Sequence, residues 1–330
     1  MYGVGERMKE PLYVASEGIL KRKENTLFFV NKEGKKALPV DNVSEIYAYG
    51  KVTLTSGASS MLMKMGIPLH FFNMYGWYEG SLYPRVKLNS GLCVVRQVEH
   101  YLNPEKRIAI ASEFIRGTKH NILATLKYYR KQEKEVDSFI EEIKKEEIEG
   151  NIDTLRSCEG RIWAAYYKSF GEIVSGFELG TRDYRPPTNE LNALISFGNS
   201  LLYSTALSEI YNTYLHPSIS FLHEPSERRF SLALDIADIF KPIIVERVIF
   251  KLVNNRMLTE EDFDKDIGVM LKEKGKRLFL KEYQEKLATT ISHPELKKKV
   301  SYKYLIRLEC YKLIKHILGD KRYSSLKMWW

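Results

Sequence analysis

Residues 189–214 read NELNALISFGNSLLYSTALSEIYNTY. Leu191, Leu194, Ile195, Gly198, Leu201 and Leu202 recur at three- and four-residue spacings, which puts them on one face of a helix. The stretch predicts a helix at the centre of a helical domain. The same period extends in both directions. Upstream it covers 104–132, started by Asn103-Pro104, then a charged segment at 136–149 and a third at 153–170. The pair Pro186-Pro187 interrupts it. Downstream come a loop with Pro217 and Pro225, a helix over 231–240, another from about Pro242, a capping-box start at Thr259-Glu260-Glu261-Asp262, and two more helices.

Before about residue 88 the period is two. Strands are expected at 12–14, 26–30, 35–39, 43–49, 68–72 and 77–82, with hairpin turns at 31–34 and 74–76. One short helix interrupts them, because Ala58, Met61, Leu62 and Met65 fall on one face behind the capping candidate Ser56. The expected fold is therefore α+β: a small β-rich domain over 1–88 and a larger all-α domain over 89–330.

The chain has 330 residues, 44% of them apolar and 28% charged, enough for two domains with cores of their own and unlike a disordered chain. Cys93, Cys158 and Cys310 are odd in number and far apart, so neither a disulfide framework nor a structural zinc site is indicated. With no membrane-length apolar run and a start too charged for a secretory signal, a soluble, cytoplasmic protein is expected. The net charge of +9 is concentrated: residues 297–330 hold ten Lys+Arg against two Asp+Glu, a surplus of eight. Lys297, Lys298, Lys299, Lys303, Arg307 and Lys312 recur along what reads as a helical stretch, either a phosphate-tracking surface or a solvated face.

Polar residues at apolar positions carry the functional signal. Glu159 falls in the middle of the stripe formed by Leu155, Ile162, Trp163, Tyr166 and Phe170. A carboxylate there must be ion-paired, protonated or bound to a metal. Asp235 and Asp238, three residues apart, border the apolar face of the 231–240 helix, where they either salt-bridge to Arg228, Arg229 or Lys241 or bind a cation. His223 stands in the proline-flanked loop before that helix, either bonded to a backbone carbonyl or presented toward the acids. His216 reads as structural. Together, one imidazole and several carboxylates suit Mg2+ or Mn2+ acting on phosphate, with Arg182, Arg185, Arg228 and Arg229 as candidate clamps on a phosphodiester backbone. No dinucleotide-binding, Walker A, nucleophile-elbow or zinc-protease motif is present. A non-enzymatic basic DNA-binding scaffold, with the acids as structural ion pairs, is the competing class. An RNA-processing nuclease with the same metal site is a third.

The segments 182–187 (RDYRPP), 192–199 (NALISFGN), 201–203 (LLY), 222–224 (LHE), 230–242 ending in Lys241-Pro242, and 66–72 (GIPLHFF) resemble CRISPR-associated protein 1. That family comprises metal-dependent DNA endonucleases that act as integrases in spacer acquisition. The resemblance implies that Glu159, His223 and Asp238 are the catalytic, metal-binding residues, that Asp235 is a supporting acid, and that Mg2+ or Mn2+ is the cofactor. It further implies a homodimer formed largely through the β domains, CRISPR-associated protein 2 and DNA as partners, and attack on a phosphodiester by a DNA 3′-hydroxyl or by water. The first ten residues and Trp329-Trp330 have no assigned counterpart.

Overall fold

The switch from period two to period 3.6 separates two units in the computed structural model, 1–87 and 88–330. The structure describes residues 9–73, 76–84, 90–183, 186–225, 230–266 and 268–329. The expected turn at 74–76 lies mostly outside them.

Among the described residues, the first unit contains two four-stranded sheets, one α-helix and a 3-10 turn at Val40–Asn42. One sheet has the order β1(Glu10–Val14), β5(Val43–Tyr49), β7(Leu69–Phe72), β8(Tyr78–Leu82), with β1, β5 and β7 parallel and β8 antiparallel. The other has the order β4(Gly34–Leu38), β3(Thr26–Asn31), β2(Gly18–Lys23), β6(Val52–Leu54), in which β6 runs parallel to β2. Leu20, Leu27, Ile46 and Leu69 form a core with Ala58 and Leu62 of α1(Ser56–Met65). Thr55, not Ser56, caps that helix by accepting from the Ala58 N–H. Strands β2 and β6 were not expected. In β2 only Leu20 is buried, so the alternation is nearly silent, and β6 is three residues long.

The second unit is helical. Its helices are α2(Gly91–Leu102), α3(Pro104–Arg130), α4(Asp137–Lys145), α5(Ile152–Lys168), the single turn α6(Phe170–Ile173), α7(Glu190–Tyr211), α8(Ser231–Phe240), α9(Val245–Asn254), α10(Glu273–Ala288) and α11(Tyr302–Ile317). Two short ribbons add to them, β9(Phe263–Asp264) with β10(Met270–Leu271) and β11(Thr290–His293) with β12(Lys298–Ser301). Asn103 caps α3, whose first residue is Pro104, and Asn151 and Asn189 cap α5 and α7. The capping box closes, with the Thr259 N–H donating to Asp262, but only a single 3-10 turn follows before β9. Helix α9 begins later than expected because Lys241–Ile243 forms a 3-10 turn around Pro242.

Helix α7 packs on α8, α9, α10 through Phe279, and α11, and is buried on nearly every side, not along one stripe. Its buried Glu209 accepts from Arg307 of α11 at 2.6 and 3.2 Å, with Lys303 at 3.8 Å. Lys312 likewise pairs with buried Glu309 at 2.7 Å. The basic C-terminal stretch is thus not one helical phosphate track: Lys298 and Lys299 lie on β12, and three of the six cations neutralise buried glutamates. Among the described residues, no helix is long and apolar enough to cross a membrane.

At Gly198 side chains of α9 and α10 come close against the backbone of α7. A Cβ there would stand 2.4 Å from Val245 Cγ1 and 3.0 Å from Phe279 Cζ, both on fully buried side chains. Gly198→Val is expected to lower unfolding stability by at least about 2 kcal/mol in denaturant titration. An unchanged midpoint would show that this contact can relax.

Candidate active site

The loop preceding α8 is fixed from four directions. Asp235, one turn into α8 and fully buried, accepts four hydrogen bonds: from the Phe221 N–H at 2.7 Å and the Leu222 N–H at 3.1 Å on Oδ2, and from the His223 N–H at 3.0 Å and His223 Nδ1 at 2.7 Å on Oδ1. Arg107 of α3 donates to the Phe221 carbonyl at 2.9 Å, and Arg156 of α5 to the Leu222 carbonyl at 3.0 Å. Both guanidiniums also hold Glu224, to which the Tyr101 hydroxyl of α2 donates. Ser220 donates to the His223 carbonyl at 2.6 Å.

This clamp determines what His223 presents. A carboxylate only accepts, so the proton on Nδ1 is committed to Asp235 and Nε2 is the outward nitrogen. Nε2 faces Asp238 Oδ2 at 4.0 Å. Asp238 is buried, and its other oxygen is ion-paired with Lys241, one turn further along and beginning the 3-10 turn. The Lys241 ammonium also lies 5.1 Å from the Trp163 ring of α5. Burial alone would lower the Lys241 pKa, but the charges of Asp238, Tyr167 and Glu159, with the Asp238 hydrogen bond, together outweigh it and raise it.

Glu159, half-buried on α5, belongs to the same electrostatic cluster. Burial, and then the Asp238 charge, push its carboxyl up to about 7, against the opposing charges of Lys241 and His223. For His223, burial favours the neutral ring, but the Asp235 hydrogen bond and the charges of Asp235, Asp238 and Glu159 win and raise its pKa to about 9. The site therefore holds more negative charge than Lys241 and His223 balance.

Asp235, with every acceptor position used, is a positioning group, not a free donor to a ligand. The donors left for a cation are His223 Nε2, Asp238 and Glu159. Their chemistry, one imidazole nitrogen and two carboxylates, fits a hard divalent ion. Among the described residues, no three His, Cys, Asp or Glu side chains stand together closely enough to hold a metal ion as they are placed, and the Lys241 ammonium lies on Asp238.

Of the candidate DNA-binding cations, Arg182 is described: its guanidinium donates to Asn192 Oδ1 at 2.9 Å and Ser196 Oγ at 3.2 Å on α7, 5.8 Å from the Tyr167 ring. Arg185, Arg228 and Arg229 lie outside the described residues. His216 keeps a structural place: its N–H donates to Gln97 Oε1 and its carbonyl accepts from Gln97 Nε2. Sequence reasoning missed the clamp of Arg107, Arg156 and Glu224, and it weighed Lys241 only as a salt-bridge partner. It also missed Glu246, fully buried in α9 with neither carboxylate oxygen hydrogen-bonded. Burial pushes Glu246 up to about 8. Its signal is one acid inside the apolar run 242–250.

The sequence model for "CRISPR associated protein Cas1" matches residues 12–285. The chain belongs to this family. It is 50% identical to CRISPR-associated protein Cas1 1 of Methanobrevibacter ruminantium, over 98% of this chain and 99% of the relative. It is 44% identical to the CRISPR-associated endonuclease Cas1 of Fusobacterium nucleatum, over 99% and 98%. A solved Cas1 protein from Thermotoga maritima superposes with a TM-score of 0.87 at 43% identity, covering 96% of this chain and all of that one. The N-terminal β-rich region followed by a helical region is thus the Cas1 fold. A casposase bound to an integration product shares the fold at a TM-score of 0.82 and 19% identity, over 97% and 93%.

Because the folded pKa of His223 is about 9 against an ordinary 6.5, its contribution to stability is fully present below about pH 6.5 and is lost as pH rises through 9. Asp235→Asn is expected to bring the His223 titration, followed by NMR, down by at least one unit and to reduce this loss. A wild-type midpoint near 6.5 would contradict the clamp.

Proposed function

We propose that the protein is a metal-dependent DNA integrase and endonuclease of CRISPR adaptation, joining spacer DNA to the CRISPR array. The observation that carries this reading is His223 locked through Nδ1 to Asp235, with Nε2 turned on Asp238 within electrostatic reach of Glu159. Membership in a family whose close relatives are named endonucleases supports it. A structural ion-pair scaffold has no use for an outward imidazole nitrogen, nor for a carboxyl held near neutrality beside a second acid.

In this reading Glu159, His223 and Asp238 would hold Mg2+ or Mn2+, which when bound would polarise a phosphoryl oxygen and offset charge on the leaving 3′-oxygen. The residues do the rest. Asp235 keeps the His223 proton on Nδ1, so Nε2 serves as a neutral ligand and not as the general base. Lys241 places a fixed positive charge beside the acids. Glu159 serves as a ligand once it has lost its proton. The nucleophile is a DNA 3′-hydroxyl in joining and water in cleavage. Arg182, Arg185, Arg228 and Arg229 contact the DNA backbone, Arg182 by exchanging its bonds to Asn192 and Ser196. The protein works in the cytoplasm as a homodimer formed through the β-rich unit, together with Cas2; this chain shares the fold of 37% of a chain in a solved Cas6-RT-Cas1–Cas2 complex.

Glu159→Gln, His223→Ala and Asp238→Asn are each expected to reduce Mn2+-dependent strand joining into a plasmid-borne CRISPR array by at least about a hundredfold, with the variants still folded by circular dichroism. Undiminished joining by all three would rule the reading out. Since the metal must displace protons from His223 and Glu159, whose pKa values are about 9 and 7, Mn2+ affinity should rise from pH 6 to pH 9 in calorimetry. A flat or falling profile would contradict this ligand set.

A further inference from the structure

The C-terminal end of α3, α9 and α10 enclose a cavity of about 450 Å³ in the helical unit, lined in part by Tyr128, Arg247, Lys251, Glu282 and Lys286. Three cations and two acids line it. Lys251 is ion-paired with Glu282 and stands 4.0 Å from Glu285. Two further cations remain. The Arg247 guanidinium lies 3.8 Å over the Tyr128 ring and 5.3 Å from that of Tyr129. Its Nη1 is buried and has no hydrogen-bond partner. The Lys286 ammonium lies 3.9 Å over the Tyr302 ring. Neither makes an ion pair among the described residues.

Arg247 and Lys286, half-buried and facing one cavity, repel each other, and the lining carries one positive charge more than its two acids balance. Burial and the Arg247 charge together lower the Lys286 pKa to about 8. An anion entering the cavity relieves this repulsion by lying between the two cations that line it, offsetting the surplus charge and accepting from the Lys286 ammonium. A guanidinium fork beside an ammonium matches a phosphate, and the volume falls in the range of small-ligand pockets. Tyr128, 38% exposed, adds a flat aromatic wall and a hydroxyl.

We propose that this cavity is a binding site for the phosphate group of a nucleotide unit, with Arg247 and Lys286 as its cations and Tyr128 as its wall. The phosphate comes either from a free nucleotide or from a DNA strand. The site does not depend on the metal chemistry assigned to Glu159, His223 and Asp238, and its test involves no cleavage or joining.

With its lowered pKa, Lys286 is a reactive amine, so its occupancy can be read directly. The wild-type protein is treated with limiting acetic anhydride at pH 8, at constant ionic strength set with chloride, and acetylation of Lys286 is followed by mass spectrometry, with exposed Lys281 of α10 as internal reference. Inorganic phosphate, thymidine 5′-monophosphate and a single-stranded dT oligonucleotide are the three probes. At least one is expected to slow Lys286 acetylation threefold or more relative to Lys281. Protection at the lowest concentration by the oligonucleotide assigns the site to a DNA strand, and by the monophosphate to a free nucleotide. Arg247→Gln should lower the affinity for the protecting probe by about tenfold or more, the loss of one charge-assisted bond. Should that variant not fold, Lys286→Gln, altering a half-exposed side chain, gives the same comparison by calorimetry. No protection by any probe, or unchanged affinity in the folded variant, overturns the proposal.

Discussion

The functional half of the molecule depends on one buried carboxylate. Asp235 accepts from three consecutive backbone N–H groups, of Phe221, Leu222 and His223, and from the His223 ring, so a single side chain fixes both the path of a loop and the tautomer of its imidazole. An ionised carboxylate fully out of water is costly unless its lone pairs are met, and here all four are. The same saturation removes Asp235 from the set of cation donors. The arrangement divides labour between two acids three residues apart: Asp235 faces the loop, while Asp238 faces the Nε2 of the histidine that Asp235 positions.

Around this clamp the helices serve as supports at fixed spacing. Helix α5 contributes Arg156 to the loop carbonyls and, one turn later, Glu159 to the acidic cluster. Helix α3 adds Arg107, and α8 passes into the 3-10 turn at Pro242 so that Lys241 folds back on Asp238. The resulting site is short of positive charge. Glu159 held near neutrality and His223 held protonated are two responses to that shortage, and a divalent cation is a third that suits both.

Much of this was legible in the sequence, because it rests on local rules. The two-domain division follows from the change of period, and α8 has the expected bounds because its stripe of Leu232, Ile236 and Ile239 is regular. Of the four residues singled out at the site, Glu159 was visible as a carboxylate inside an apolar stripe, Asp235 and Asp238 as an acid pair at the border of one, and His223 only as a loop histidine before that helix. What was not legible is long-range. No pattern within 91–111 announces that Tyr101 and Arg107 grip a loop more than a hundred residues away. The basic C-terminal stretch misleads for the same reason, since its Arg307 and Lys303 answer to Glu209, an acid hidden in the all-round burial of α7. The ribbons β9–β10 and β11–β12 are too short for a period to register.

The central claim is that one divalent cation is held by Glu159, His223 Nε2 and Asp238, with Asp235 outside its coordination shell. An anomalous difference map from a Mn2+-soaked crystal of the wild-type protein tests it most directly. The account predicts one peak in the gap between His223 Nε2 and Asp238, ligated by Glu159 as well, with the Asp235–His223 Nδ1 hydrogen bond intact. A peak ligated by Asp235, or no peak at this site at saturating Mn2+ and alkaline pH, would contradict it.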